Sequence, residues 1–352
     1  RKIMNNPTRH AVVGVGVVGE WHTRAIPQAG VTLAAMCDVV PEQAKKVAEK
    51  NKLDVPIYTD IQQMLAKEKI DVVHVCTPSG NHLEPVLAAI EAGKNVICEK
   101  PIEIKLDRID RMLEAAEKHK IRLAGIFQNR WNPANRALHD AAAAGRFGKV
   151  AWAGSFTPWY RTDQYYRDGG WRGTWKLDGG GAMMNQSIHQ VDLIQWIAGP
   201  IKQVSAYASS RIHPEIEVED TLSCSLQFES GAFGTIMGTT AIYPGGALRV
   251  EIGGENGMAV SENGLKTFQF REPKPDDEEL RKKHGHFDPG GASNPQISQL
   301  WMHVQNIQSI LKAWSENRDA ETSGREARKA VAIITAMYES ARKNGEPVKV
   351  SV

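Results

Sequence analysis

Three stretches of the chain carry polar groups where a strand end or a helix face would ordinarily be apolar. In the run from Asp178 to Asp192, a helix beginning near Gly181 and stopped at Gly199-Pro200 sets Asn185, His189 and Asp192 at i, i+4 and i+7. Met184, Ile188 and Val191 make the adjacent buried stripe. The helix therefore aims an amide, an imidazole and a carboxylate one way, a set able to orient a hydroxyl and take its proton. A lone histidine is ordinarily a core residue with a satisfied hydrogen bond, but three stacked polar groups favour function. The second stretch is Glu99-Lys100-Pro101, directly after the apolar run Asn95-Val96-Ile97-Cys98. Lys100 reads either as a surface lysine opening a loop or, desolvated and near a positive charge, as a general base with a lowered pKa. The third holds Trp159-Tyr160-Arg161, Tyr165-Tyr166-Arg167 and Trp171-Arg172, with four of nine tryptophans and three of seven tyrosines between 151 and 175. Aromatic faces pack on the C–H faces of sugar rings, and arginines hold hydroxyls, carboxylates or phosphates. The same composition would equally serve a core or an interface.

The elements that must position these groups start at His10. Ala11, Val12 and Val13 suit a strand buried on both faces, and Gly14-Val15-Gly16-Val17-Val18-Gly19 meets the G-x-G-x-x-G spacing. Gly14 permits the tight turn, Gly16 lets the backbone approach a pyrophosphate, and Gly19 lets helix and strand pack closely; Val17 and Val18 open the helix whose amides receive the phosphates. A second apolar run, 31–37, ends in Asp38, 19 positions beyond Gly19, where the acid that accepts from an adenosine ribose is expected. The cofactor is thus NAD, favoured over NADP because no Arg or Lys follows at 39 or 40, although Lys45 and Lys46 lie near. Thr77, Pro78, Asn81 and His82, after the run 72–76, should line the same site, with Glu99 and Lys100 beside it.

Through residue 126 apolar runs at 11–15, 32–37, 71–76, 95–98 and 121–127 alternate with helical stretches, which implies a doubly wound parallel sheet of Rossmann type. Beyond about 149 the runs 149–157, 202–211, 219–228 and 232–242 are β-branched and aromatic, with turns at Ser230-Gly231, Asn256-Gly257 and Asn263-Gly264. The fold class is α/β: a dinucleotide-binding domain over 1–128, then an α+β domain over 129–324 with an open, mostly antiparallel sheet that binds substrate and builds a homo-oligomer. Residues 272–295, with five acids between Asp276 and Asp288, read as a solvated excursion, and Gln296 to Asn317 as a helix with Ile297, Leu300, Val304, Ile307, Leu311 and Trp314 on one stripe.

A chain of 352 residues, 41% hydrophobic, exceeds what one core usually organises. A net charge of +2 with no long basic run argues against a nucleic-acid partner, and no apolar stretch is long enough to cross a bilayer. Four dispersed cysteines, Cys37, Cys76, Cys98 and Cys224, read as thiols in a reducing compartment, hence a cytoplasmic location. His284 and His286, the one close histidine pair, sit in a charged loop, and no metal is expected.

The glycine turn at 14–19, Thr77-Pro78 with His82, Glu99-Lys100-Pro101 and the helix from Gly179-Gly180 to His189 together resemble the glucose-fructose oxidoreductase, inositol dehydrogenase and MocA (Gfo/Idh/MocA) family of NAD(P)-dependent oxidoreductases. The resemblance implies that Lys100 and His189 are the catalytic pair, that Pro101 follows a cis bond, and that the last helix, 325–343, returns to the first domain. It also implies dimers or tetramers through the second sheet. Many relatives carry Asp where this chain has Asn185; the Asn-Gln-x-x-His form looks like a sub-group acting on sugars, some at a pyranose C3 hydroxyl. The expected reaction is hydride exchange between nicotinamide and a secondary hydroxyl of a sugar, sugar derivative or cyclitol. Asn185, Trp159, Tyr160, Arg161, Trp171 and Arg172 would hold that substrate, and Asp192 would orient the helix or His189. A sensor that binds NAD without turnover is the rival reading.

Overall fold

Strand β1, Arg9–Val13, buries every residue from His10 to Val13, as a strand with neighbours on both sides and helices on both faces must. It pairs in parallel with β2 (Thr32–Cys37) on one side and β4 (Val72–Val75) on the other. With β3 (Ile57–Tyr58), β5 (Asn95–Cys98) and β6 (Leu123–Gly125) they form a parallel sheet of order β3-β2-β1-β4-β5-β6. The strand order reverses between β1 and β4, so the crevice at the carboxyl ends of those two strands is where such a sheet receives a ligand. Strand β3 is absent from the sequence reading because two residues make no detectable apolar run.

The computed structural model describes residues 8–286 and 300–351, which divide into two units. The first runs to Ile126 and resumes over Leu300–Arg328; the second begins at Phe127 and takes up again from Lys329. Within the first, the helix Leu300–Ser315 buries Val304, Ile307, Ile310 and Ala313 against Val72, Ile97 and Ala124, with Leu300, Leu311 and Trp314 at the margin. Ile297, expected on the same stripe, lies outside the described residues. The opening turn of the last helix, Gly324–Arg342, belongs to this unit, where Arg328 pairs with Asp110 at 2.7 Å; the remainder belongs to the second unit, where Tyr338 Oη donates to Glu219 at 2.9 Å.

In the second unit eight strands make one mixed sheet. They are β7 (Val150–Pro158), β8 (Ile201–Ser209), β9 (Thr221–Phe228), β10 (Phe233–Thr239), β11 (Arg249–Gly254), β12 (Gly257–Glu262), β13 (Leu265–Phe270) and β14 (Val348–Lys349). The order is β13-β12-β11-β7-β10-β9-β8-β14, antiparallel except where β10 runs parallel to β7. All three turns expected from the sequence join hairpins, β9–β10, β11–β12 and β12–β13. One face exposes Tyr207 (66%), Phe233 (61%) and Met258 (42%). The segment after 272 is not wholly an irregular excursion. Asp277–His284 is a helix, anchored because buried Asp277 takes both nitrogens of Arg146, each at 2.6 Å, while Arg146 lies 3.7 Å over the Phe270 ring. Residues 287–295 of that segment lie outside the described residues.

Candidate active site

Of the three glycines in the turn of the first unit, only one has room for a side chain. A Cβ on Gly14, which holds φ +84°, would stand 2.7 Å from the Thr77 nitrogen, and one on Gly19 would stand 2.0 Å from the Gly14 carbonyl oxygen. A Cβ on Gly16 would meet nothing within 4 Å. That open side, at the N-terminus of the helix Val17–Gln28 with no side-chain cap, is a cradle that lets a pyrophosphate approach the helix amides. Asp38 stands at the end of β2, where its carboxylate accepts from the Val15 amide at 2.6 Å and the Val40 amide at 2.9 Å. A carboxylate has about four lone-pair sites, so two fixed amides still leave it able to accept from a ribose. Val39 and Val40 beside it are 85% and 53% exposed and offer no cation. The residues present therefore fit an NAD molecule.

On the far side of the turn, Thr77 Oγ1 donates to the Asn81 carbonyl at 3.0 Å. His82 is buried, with one ring nitrogen 2.8 Å from the Thr77 carbonyl and the other 2.9 Å from that of Pro101, so it ties the loop after β4 to the loop after β5. The Lys100–Pro101 peptide is cis. Glu99, expected beside the cofactor, is 5% exposed and turns inward: Oε1 accepts from His22 Nε2 at 2.9 Å and lies 3.5 Å from His303 Nε2, while Oε2 accepts from the Lys100 amide at 3.0 Å. Burial alone would raise its pKa, yet the hydrogen bonds from the two imidazoles hold it well below the usual carboxylate range.

In the second unit the helix that carries His189 does not begin as an α-helix. Residues Ala182–Ser187 form a π-helical turn, and only Ile188–Ala198 is α-helical, so a uniform i, i+4, i+7 stripe from Asn185 to Asp192 is replaced by a register change between Asn185 and His189. The cause lies across the unit. Glu219 accepts from the Gly181 and Met183 amides at 2.9 and 2.8 Å through its carboxylate and from the Ala182 amide at 3.0 Å through its carbonyl, which holds the first turn wide. Glycine is required there, since a Cβ on Gly181 would stand 1.8 Å from the Glu219 carbonyl oxygen and one on Gly180 2.0 Å from Tyr338 Oη.

Asn185 donates through Nδ2 to Asp178 Oδ1 at 2.6 Å, and Asp178 Oδ2 accepts from the Gly173 amide at 2.9 Å. Asp178 thereby fixes which end of the Asn185 amide is nitrogen. His189 is 9% exposed, its ring edge-on to Phe127 at 5.9 Å. Asp192 is bidentate to Arg130 at 2.6 and 2.8 Å, both side chains 1% exposed, so its carboxylate anchors the helix to the turn Gln128–Trp131. Removing one partner of such a pair strands a buried charge, at roughly 3–5 kcal/mol. The aromatic segment packs partly upon itself. Arg161 lies 4.8 Å over Trp159 and 5.3 Å over Tyr165, Arg172 lies 4.3 Å over Tyr165 and 5.6 Å over Trp171, and Tyr165 Oη accepts from Gln186 at 3.0 Å. Trp159, Tyr160, Arg161, Trp171 and Arg172 all stay partly exposed in that stack, whereas Arg167 reaches toward Glu215 at the surface. Asp178, Glu219 and Arg130 had no role in the sequence reading. Only Asp178, which opens the glycine run, carried any local signal.

Residues 8–127 match the oxidoreductase family with an NAD-binding Rossmann fold, and residues 135–260 match the GFO/IDH/MocA C-terminal domain. A WlbA dehydrogenase from Chromobacterium violaceum, solved with NADH and UDP-GlcNAcA, is 32% identical and superposes with a TM-score of 0.88 over 99% of this chain and 98% of its own. This chain belongs to the Gfo/Idh/MocA family. The WlbA dehydrogenase of Bordetella pertussis, also solved with NADH and UDP-GlcNAcA, is 30% identical with a TM-score of 0.87 over 99% of this chain and 100% of its own. The myo-inositol 2-dehydrogenase of Thermotoga maritima is 29% identical over 266 residues, 74% of this chain and 76% of its own. As a Gfo/Idh/MocA oxidoreductase, the chain has its NAD-binding Rossmann fold in the first unit, where the cradle over Gly16 lies. No helix among the described residues is long and apolar enough to cross a membrane, and all four cysteines are free thiols.

Proposed function

We propose that this chain is an NAD-dependent dehydrogenase that exchanges a hydride between nicotinamide and a secondary hydroxyl of a sugar, sugar derivative or cyclitol, with a nucleotide-linked sugar acid as the first substrate to try. The observation that carries the proposal is likeness over 99% of the chain to two dehydrogenases solved with UDP-GlcNAcA. NAD, when bound, supplies the hydride acceptor. Exposed Val39 and Val40 beside Asp38 favour it over NADP. For oxidation, one of Lys100 and His189 takes the hydroxyl proton and the other holds the developing oxyanion. Asn185, which donates through Nδ2 to Asp178, would orient a sugar hydroxyl through its amide. Trp159, Tyr160 and Trp171 offer faces to the ring, and Arg161 and Arg172 offer charge to a carboxylate or phosphate. Nucleotide binding belongs to the first unit and substrate binding to the second. The exposed apolar face of the second sheet supports a homodimer or homotetramer, and four free thiols support a cytoplasmic setting.

The test is the 340 nm absorbance of the purified protein given NAD with UDP-GlcNAcA, other nucleotide sugars, free sugars and inositols. Reduction of NAD by any of them supports the dehydrogenase. Tight NAD binding with turnover of none points instead to a sensor of the same fold.

A further inference from the structure

The first unit holds a file of buried side chains that dinucleotide binding does not require. Thr8 Oγ1 lies 2.9 Å from His10 Nε2, and His10 Nδ1 lies 2.8 Å from His74 Nε2. His74 Nδ1 lies 2.8 Å from His22 Nδ1, and His22 Nε2 lies 2.9 Å from Glu99 Oε1. The three rings are wholly buried, Glu99 is 5% exposed and Thr8, at the outer end, is half-buried. His10, His22 and His74 come from β1, the helix Val17–Gln28 and β4, with Thr8 just before β1 and Glu99 just after β5, so tertiary packing lines up the three rings and the carboxylate.

The chemistry of one end fixes every proton in the file. A neutral imidazole has one N–H and one lone pair, and a carboxylate only accepts. His22 must therefore carry its proton on Nε2, which leaves Nδ1 to accept from His74. His74 then carries its proton on Nδ1 and accepts at Nε2 from His10 Nδ1–H, and His10 Nε2 accepts from the Thr8 hydroxyl. Burial keeps the rings neutral: it pushes His10 down to about 4 and lowers His22 and His74 as well. All four donors point toward Glu99.

We infer that Thr8, His10, His74, His22 and Glu99 form a proton relay ending at the residue before Lys100. As a hydronium ion at the surface gives a proton to Thr8 Oγ1 and is left as water, the Thr8 hydroxyl proton passes to His10 Nε2 and the His10 Nδ1 proton to His74 Nε2. The His74 Nδ1 proton then passes to His22 Nδ1, and the His22 Nε2 proton to Glu99 Oε1. Each ring gains one N–H bond and loses one, a single proton crosses the file, and no electron moves. The reversed file carries a proton outward. Oxidation of an alcohol by hydride loss releases one proton and the reverse reaction consumes one, so a buried route serves the reaction in both directions. Because Glu99 Oε2 accepts from the Lys100 amide, the inner end of the relay is tied to the backbone of the residue proposed as base or oxyanion holder. The catalytic purpose rests on that reading of Lys100, whereas the proton pattern does not.

Long-range ¹H–¹⁵N correlation on histidine-labelled, NAD-loaded full-length protein reads the pattern directly. The expected result is a proton on Nδ1 of His10, Nδ1 of His74 and Nε2 of His22; any other set, or a charged His74 ring, overturns the relay. Zn²⁺ gives a second arm, because His22, Glu99 and His303 offer ligand atoms all within 4.8 Å of one another. A metal on His22 Nε2 would drive its proton to Nδ1 and reverse the file. Stoichiometric metal in the purified protein therefore also overturns the proposal. His74→Gln keeps an acceptor for His10 and a donor for His22 but cannot hand a proton on. With whichever sugar reduces NAD, it should lower kcat by roughly tenfold, short of the 10²- to 10⁴-fold expected for loss of a general base, and raise the solvent deuterium isotope effect without changing NAD affinity. Should that variant fail to fold, His10→Gln makes the same break at the outer end. Unchanged kcat and isotope effect in the His74 variant, alongside a crippled Lys100→Ala, sinks the relay; an active Lys100→Ala sinks the reading of Lys100 instead.

Discussion

Lys100 and His189 differ in how much of their setting the sequence discloses. Lys100 follows a short apolar run, and β5 ends where that run ends, so its place at a strand terminus is a local property. His189 sits on a helix whose register depends on Glu219, some thirty residues later in the chain, and no pattern near His189 announces the π-helical turn before it. If the two share the proton chemistry, Lys100→Ala and His189→Ala should each lower kcat by about 10²- to 10⁴-fold while leaving the dissociation constant for NAD unchanged, as steady-state rates and a binding titration would report. Retention of full turnover by either variant removes that residue from the reaction. The arginines are a mixed case: Arg161 and Arg172 were singled out as anion holders, and both are stacked on Tyr165, with Arg161 Nη1 also donating to the Tyr160 carbonyl at 3.0 Å and Arg172 Nη1 to the Tyr165 carbonyl at 3.2 Å.

At the level of the element, the glycine run and its cap decide how the His189 helix starts. Glu219 is wholly buried, and its pKa is raised to about 7 because burial outweighs the Met183 and Gly181 amides and the Tyr338 hydroxyl, which favour the charged form. A carboxyl whose folded pKa stands above its usual 4.5 holds its proton more tightly when folded. Its contribution to stability is then complete below pH 4.5 and is lost as the pH rises through about 7. Thermal melting of the natural chain should accordingly fall more between pH 5 and pH 8 than that of Glu219→Gln, whose amide does not titrate. Equal slopes for the two proteins would show that Glu219 is charged throughout. The helix Asp277–His284 teaches the complementary lesson, since a polar, Pro-flanked stretch reads as irregular until Arg146, far earlier in the chain, supplies a partner for Asp277.

For the whole molecule, the exposed face of the second sheet sets the expectation. Tyr207 and Phe233 lie on strands β8 and β10 and Met258 on β12, all on one face, and exposed apolar side chains gathered on an open sheet face are the basis of the proposed interface. Phe233→Glu should convert the oligomer to monomer in light scattering coupled to gel filtration, with NAD binding in the first unit retained. A natural chain that is already monomeric at micromolar concentration would remove the interface from the account. Assignment of chain segments to units is also a property of this scale: the helix Leu300–Ser315 rejoins the first unit although it follows the second sheet in sequence.

By itself the sequence determined the alternation of strands and helices, the glycine turn with Asp38, the hairpins, and Lys100 at a strand end, because each depends on periodicity or turn chemistry within a few residues. Tertiary structure alone decided that Asp192 pairs with Arg130, that Asp178 holds Asn185, that Glu219 widens the helix start, and that Glu99 faces a file of histidines. Those pairings join groups brought together by the return of the chain, and a buried charge or imidazole takes whichever partner the packed interior presents, which no local spacing encodes.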